Sequence, residues 1–451
     1  MACFALFQVG CTSELEIDPL QSVDATVALE TASDIDAALV GAYGIMHQGE
    51  LYGTNFNLLA ELQASDGYCQ WRGTFQGQRQ VSLKNMTSDN AEAARTWIQA
   101  YNAINIANNV LANSNKIADQ DVRLSAEAEA KFIRGILHFE LVRYYGQPYD
   151  PTGANDGLGV PLATVGVDSE SKASVKGPRA TIAQIYQQVI SDLSEAEAGL
   201  PESRSGVSKF RGTTYTAKAF LARVYLQQGN YQAALEKANE VIESGNYALN
   251  PSIASTFTNK FTNETIFELY NNDQNNAGVA NDGLTTFYAS LVGIGRSDVR
   301  ILPAFAANYE AEDERLSQLI YEGVGRRPGA LQTGKWTSFG QNIPVIRLSE
   351  LLLTRAECNL RLGTAVGREP LADVNEVRAR SRASLKTSVA VEDVLLERQL
   401  ELCFEGLRIH DIKRVKGSTG EFQWNDEKLV FPIPLREINA NSALEQNPGY
   451  F

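Results

Sequence analysis

The sequence predicts a mostly α-helical protein in which helical hairpins form a scaffold and long irregular insertions form the working surface. Three observations carry this reading. Apolar residues recur at helical spacing in several separate blocks, Gly and Pro close those blocks, and two long stretches rich in Gly, Asn, Gln, Ser and Thr have no helical period. With 44% hydrophobic and 21% charged residues in a 451-residue chain, the composition is that of a globular protein, which excludes disordered, collagen-like and disulfide-scaffold classes.

Residues 31 to 48 and 89 to 113 read as helices, and Trp97 shares a stripe with Tyr101, Ile104 and Ala107 that assigns it to the core. The next stripe runs from Ala126 through Phe132, Ile136, Leu137 and Leu141 to Tyr145, and Gly146-Gln147-Pro148 stops it. Thr181 caps a helix carrying Ile182, Ile185, Tyr186, Val189 and Leu193 on one face, which ends at Leu200-Pro201. Ala217, Phe220, Leu221, Val224 and Tyr225, a turn at Gly229-Asn230, and then Tyr231, Ala234, Leu235, Ala238 and Val241 make residues 213 to 244 a helical hairpin. That hairpin resembles one tetratricopeptide repeat. A further stripe passes through Leu348, Leu351, Leu352, Ala356 and Leu360 to Gly363, and another spans Val391 to Leu407 and continues after Gly406 into His410-Asp411-Ile412-Lys413. These blocks are separated by insertions at 49–88 and 246–343, which hold most of the aromatic residues that no stripe claims. Long loops of this kind usually carry function.

Forty Lys and Arg against 54 Asp and Glu give a net charge of −14, which repels phosphate backbones, excludes nucleic acid as a partner and favours a neutral ligand. Five cysteines without a CxxC pair and three histidines argue against a structural zinc site, so no metal and no cofactor are expected. Cys358 and Cys403, set among apolar residues, read as inert buried thiols. No GxSxG, HExxH, Walker loop or complete GxGxxG is present, and Gly323-Val324-Gly325 is a bare turn signal, so the chain reads as non-catalytic. His410 beside Asp411 falls at a helix ending and is not taken as a catalytic base. The arginines between Arg347 and Arg414 interleave with Glu350, Glu357, Glu376, Glu397, Glu401 and Glu405, a pattern read as helix-spaced ion pairs that zip adjacent helices.

Beyond residue 11 no stretch reaches the roughly 20 apolar residues that cross a bilayer. Phe4-Ala5-Leu6-Phe7 followed by Gln8-Val9-Gly10-Cys11 reads as the tail of a lipoprotein export signal, with Cys11 as the lipidated residue. On this reading residues 1–11 are signal, 12–30 a polar tether, and 31–451 a single domain.

Four segments, taken in order, resemble a known family. Ala126-Glu127-Ala128 through Arg143-Tyr144-Tyr145-Gly146, then Pro344-Val345-Ile346-Arg347-Leu348 with Arg355-Ala356-Glu357, are the first two. Leu396-Glu397-Arg398 with Phe404-Glu405-Gly406-Leu407-Arg408, and Phe431-Pro432-Ile433-Pro434 with Gln446-Asn447-Pro448-Gly449-Tyr450, complete the set. Together they resemble the SusD/RagB-like family of outer-membrane nutrient-binding lipoproteins of Bacteroidota. The resemblance implies an α-α superhelix and a surface-exposed lipoprotein of the outer membrane. It implies a non-catalytic lid that delivers oligosaccharides to a TonB-dependent outer-membrane transporter, with the repeat helices on the transporter side and the sugar site in the insertions. A tetratricopeptide-type protein adapter, or a lid that binds peptide, is the alternative.

Sugars offer hydroxyls and an apolar ring face, so a site needs exposed aromatic planes beside fixed carboxylate, amide or guanidinium groups. Asp66, Tyr68, Trp71 and Arg72, with Phe75, lie together in the first insertion and are the leading candidates. In the second insertion Tyr288 is the ligand-loop aromatic that the resemblance implies, near Asp282, Phe287 and Arg296, and Trp336 is a third platform candidate. Trp424 reads as structural.

Overall fold

The computed structural model describes residues 29–450, so the expectations for Cys11 and for most of the tether lie outside the described residues. The helices that build the scaffold are α1 (Ala32–Met46), α2 (Asn55–Gln63), α3 (Gln76–Ser82), α4 (Ala91–Asn113), α5 (Gln120–Tyr145) and α6 (Ile182–Gly199). They continue with α7 (Thr214–Gln228), α8 (Tyr231–Glu243), α9 (Leu348–Leu362), α10 (Pro370–Arg380), α11 (Val391–Glu401) and α12 (Arg408–Arg414). Their starts follow from side-chain caps. Thr31 and Thr181 each form a capping box, with Asp34 and Gln184, and Asn90 accepts from the backbone N–H groups of Glu92 and Ala93. Gly229 and Gly363 end α7 and α9 in the left-handed region, at φ +72° and +67°, where a side chain would be strained.

The long helices stack in chain order. α4 packs on α1 and α5, α5 on α6, α6 on α7, α7 on α8, and α8 on α9, which also carries α10 and α11. Each helix buries its apolar stripe mainly against chain neighbours, as in repeat architectures, and the result is the predicted superhelix of hairpins. Gly135 of α5 lets α6 approach: a Cβ there would sit 3.2 Å from Asp192 and Leu193. No described helix is long and apolar enough to cross a membrane.

The stripe that begins at Val391 does not run to Leu407. α11 stops at Glu401, and Phe404 and Gly406 adopt positive φ, +61° and +82°. The cause is a buried carboxylate from the first insertion. Glu61 Oε1 accepts from the N–H groups of Gly406 and Leu407 at 2.8 and 3.1 Å, and Oε2 accepts from Phe404 N–H at 3.3 Å, so these N–H groups turn toward Glu61 instead of continuing the helix.

The insertions are also more ordered than their composition predicts. Every residue of α2 is buried, so the segment shows no polar face and no periodicity. Short antiparallel pairs tie the insertions together: β1 (Cys69–Trp71) with β3 (Val299–Ile301), β2 (Thr265–Leu269) with β6 (Ile343–Arg347), and β4 (Ile320–Glu322) with β5 (Leu331–Thr333).

The expected helix-spaced ion pairs are mostly pairs between elements. Arg361 and Glu357 have the helical spacing, at 2.8 Å. Glu401, however, holds Arg347 at 2.6 Å, Arg315 at 3.2 Å and also Arg380, while Glu350 holds Arg223 at 2.6 Å. Those groups are buried, and they zip distant segments together rather than decorate one helix. Asp411 pairs with Arg398 and Arg414, and His410 is buried apart from it with its pKa held well below the imidazole range by burial and by nearby cations.

Candidate functional site

The β1–β3 pair joins the two insertions, with Gln70 opposite Arg300 and Trp71 opposite Val299. Alternation along the strand turns Trp71 and Val299 inward and leaves Gln70 at the surface. Arg72 continues the ladder by donating its backbone N–H to Asp298 O at 2.6 Å.

Burial corrects most of the aromatic candidates. Tyr68 is 1% exposed, donates its hydroxyl to Glu61 Oε2 at 2.6 Å and stacks on Phe404 at 4.8 Å. Tyr288 is equally buried and meets Phe404 edge-on. Trp336 donates its indole N–H to Phe404 O at 2.9 Å, and the cavity beside it is about 20 Å3, room for a water and not for a sugar ring. Trp71 is 8% exposed against Phe287, so it too is no open platform. The main core extends from the scaffold helices into the insertions through Phe287, Phe305 and Phe404, and it claims these rings. Absence of helical period marks irregular backbone, not exposure. Trp424, read as structural, is only partly buried, with Lys416 Nζ 5.0 Å from its ring.

Two polar candidates remain accessible. Asp66 is about half exposed, pairs with Lys84 and accepts from Thr419 Oγ1 at 3.0 Å. Arg72 is partly exposed and donates Nη2 to Ser297 Oγ at 3.1 Å.

Of the aromatic residues named in the two candidate loops, the ring that faces solvent is Phe75, 37% exposed, with the Arg296 guanidinium 4.5 Å from its centroid. Phe75 lines a cleft of about 300 Å3 between the insertions, together with Glu50, Gln78, Glu92, Arg95 and Asp282. Arg95 organises its floor, reaching Glu50 at 2.8 Å, Glu92 at 3.3 Å and Asp282. Burial pushes the Asp282 carboxyl above its usual range, against the pull of Arg95. Gln78 lines the cleft wall, is 1% exposed, and its Oε1 has no hydrogen-bond partner among the described residues. An aromatic face beside fixed carboxylates, an amide and a guanidinium is the donor and acceptor set that a sugar requires. A larger groove of about 590 Å3 lies between α8 and α10, but its Arg380 is already committed to Glu264 at 2.9 Å and to Glu401.

Sequence reasoning named Phe75 and Asp282 but passed over Glu50, Gln78, Glu92 and Arg95. Glu92 and Arg95 stand in the first turns of a predicted helix, where a charged pair reads as solvated surface. Only the approach of Asp282 from the second insertion makes them a site.

Comparison with known proteins agrees with the architecture. The SusD-like family described as starch-binding, associating with outer membrane, matches residues 15–226, and the SusD family matches residues 330–430. The chain belongs to the SusD/RagB-like family. Among relatives, the SusD-like protein P2 of Formosa agariphila is 27% identical, covering 98% of this chain and 97% of its own. The starch-binding protein SusD of Bacteroides thetaiotaomicron is 23% identical over 94% of this chain and 89% of its own. A SusD superfamily crystal structure from Bacteroides thetaiotaomicron superposes with a TM-score of 0.82 at 27% identity, covering 93% of this SusD-like chain and all of the other. The stretch between the two matched segments contains most of the second insertion, including Asp282, Arg296 and Arg300.

Proposed function

We propose that this SusD-like protein is a non-catalytic binding protein of the outer membrane that captures oligosaccharides in the Phe75 cleft and delivers them to a partner TonB-dependent transporter. The observation that carries the binding reading is the half-open Phe75 ring over the polar floor set by Arg95, at the seam of the two insertions. The family descriptions support it, since one of the matching families is described as starch-binding and outer-membrane associated. Arg72, which continues the β1–β3 ladder, is partly exposed, and Asp66, shortly before β1, is about half exposed. Lipidation at Cys11 would supply the membrane attachment, and several acyl chains on one cysteine hold stably where one alone is marginal.

The test is calorimetric titration with a panel of oligosaccharides. Phe75→Ala and Gln78→Ala are expected to weaken the best ligand at least about tenfold, and Phe75→Ala to leave thermal unfolding unchanged. Unaltered affinity in both variants would remove the site assignment. Release of shorter products on long incubation would show a hydrolase instead. Cys11→Ser should shift the protein out of the membrane fraction, and co-purification of the wild-type chain with a TonB-dependent transporter checks the delivery step.

A further inference from the structure

Five arginines converge beside the cleft. Arg72 follows β1, Arg296 and Arg300 lie at β3, and Arg326 and Arg327 come from the turn between β4 and β5. Four of them share the carboxylate of Asp298, whose side chain is fully buried: Arg296 Nε lies 2.9 Å away and Arg327 Nη1 3.0 Å, Arg72 and Arg326 act on it electrostatically, and Arg300 acts on Arg72. Five guanidiniums against this one carboxylate leave a surplus of four positive charges, in a chain whose net charge is −14.

A structural arginine cluster normally satisfies its donors with carboxylates or carbonyls, as Arg315 and Arg347 do in this protein. This one does not. Among the described residues the side chains of Arg300 and Arg326 form no hydrogen bond or ion pair, and the Nε atoms of Arg72 and Arg300 are shielded from water without an acceptor. Burial and the neighbouring guanidiniums of Arg300 and Arg327 push the Arg72 pKa below the usual arginine range. Like charges held this close favour the arrival of an anion, and the planar guanidinium fork matches carboxylate and sulfate oxygens in particular. Arg296 links the cluster to the cleft, since it sits over Phe75 and reaches Thr74 Oγ1 at 3.4 Å.

We propose that the glycan bound by this protein is anionic, carrying carboxylate or sulfate groups that Arg72, Arg300 and Arg326 receive while Phe75 and Arg296 hold the adjoining sugar. This rests on the carbohydrate-binding reading and narrows it. It also reverses the expectation of a neutral ligand, because the field at the seam has the opposite sign to that of the whole molecule.

The experiment titrates the full chain with oligogalacturonate, sulfated galactan oligomers, neutral β-glucan and maltooligosaccharides, and inorganic sulfate, at low and high salt. At least one anionic oligomer should bind about tenfold more tightly than every neutral one and weaken as salt rises. Preference for oligogalacturonate assigns carboxylate, and preference for the galactan assigns sulfate. The Arg300→Gln, Arg326→Gln double variant removes side chains that carry no ion pair, so it should unfold at the wild-type temperature and lose at least about tenfold in anionic affinity. Neutral oligomers binding as tightly as anionic ones, or full anionic affinity in the double variant, overturns the anionic assignment and leaves carbohydrate binding standing. Inorganic sulfate binding as tightly as the oligomers overturns it as well, since the cluster would then hold an ion and not a sugar. Failure of every glycan to bind overturns the carbohydrate reading itself.

Discussion

Trp336 donates its indole N–H to the Phe404 carbonyl and packs edge-on against Phe257, whereas Phe75 keeps 37% of its surface open. The two rings should therefore fail in different assays. Trp336→Ala is expected to cost about 3–5 kcal/mol in urea unfolding, the range for emptying a large buried site, while Phe75→Ala should stay within about 0.5 kcal/mol and lose sugar affinity. Lys413 gives a second residue-scale prediction. Its ammonium is buried and donates to Leu429 O at 2.6 Å, and burial, with Arg143 adding, drives its pKa down to about 7. The unfolded chain holds that proton up to about pH 10.4, so this group makes stability rise with pH between about 7 and 10 and imposes its full penalty below about 7. Leu429 O also accepts from Gln63 Nε2 at 3.1 Å, so removing the lysine leaves no orphan carbonyl. Lys413→Met should stabilise the fold by on the order of 2–4 kcal/mol at pH 6, with the gain shrinking toward pH 10; a gain independent of pH would refute the account.

Glu61 acts at the scale of an element, because it decides where α11 ends. Its carboxylate collects the N–H groups of Phe404, Gly406 and Leu407 and the hydroxyl of Tyr68, and so fastens α2 to the turn between α11 and α12. Glu61→Ala would strand several buried donors and is expected to cost about 3 kcal/mol or more in urea unfolding. Glu61→Gln keeps one acceptor oxygen and should cost less. This turn also explains why a stripe read from Val391 to Leu407 overran: apolar spacing reports which face would be buried, and it is blind to a carboxylate 343 residues before Phe404 that competes for the backbone donors.

Across the whole molecule, buried ion pairs hold the second insertion to the C-terminal helices. Glu401 joins Arg347 at the end of β6, Arg315 from Glu314–Leu319 and Arg380 of α10, and these guanidiniums hold its carboxyl well below the usual range against the opposing effect of burial. Removing one partner of such a network leaves buried charge uncompensated, so Glu401→Gln should lower stability by about 3–5 kcal/mol at pH 7. A depressed carboxylate pKa contributes stability above its unfolded value of about 4.3 and loses it as pH falls, so the gap between wild type and variant should narrow on acidification below about pH 4. Unfolding curves at a series of pH values check both the size and the sign.

The amino-acid sequence by itself determined the helical scaffold, its capped start at Thr181, its glycine stops at Gly229 and Gly363, and the family to which the chain belongs. Those features are local: periodicity, caps and left-handed exits are written within a few residues of where they act. Which aromatic rings are exposed, and where charge gathers, was decided only by tertiary structure. Tyr68, Tyr288 and Trp336 go inside because Phe404 arrives from the far end of the chain. Arg72 meets Arg300 because β1 pairs with β3 across more than two hundred intervening residues. Burial and electrostatic field depend on neighbours in space, and in the insertions those neighbours are distant in sequence.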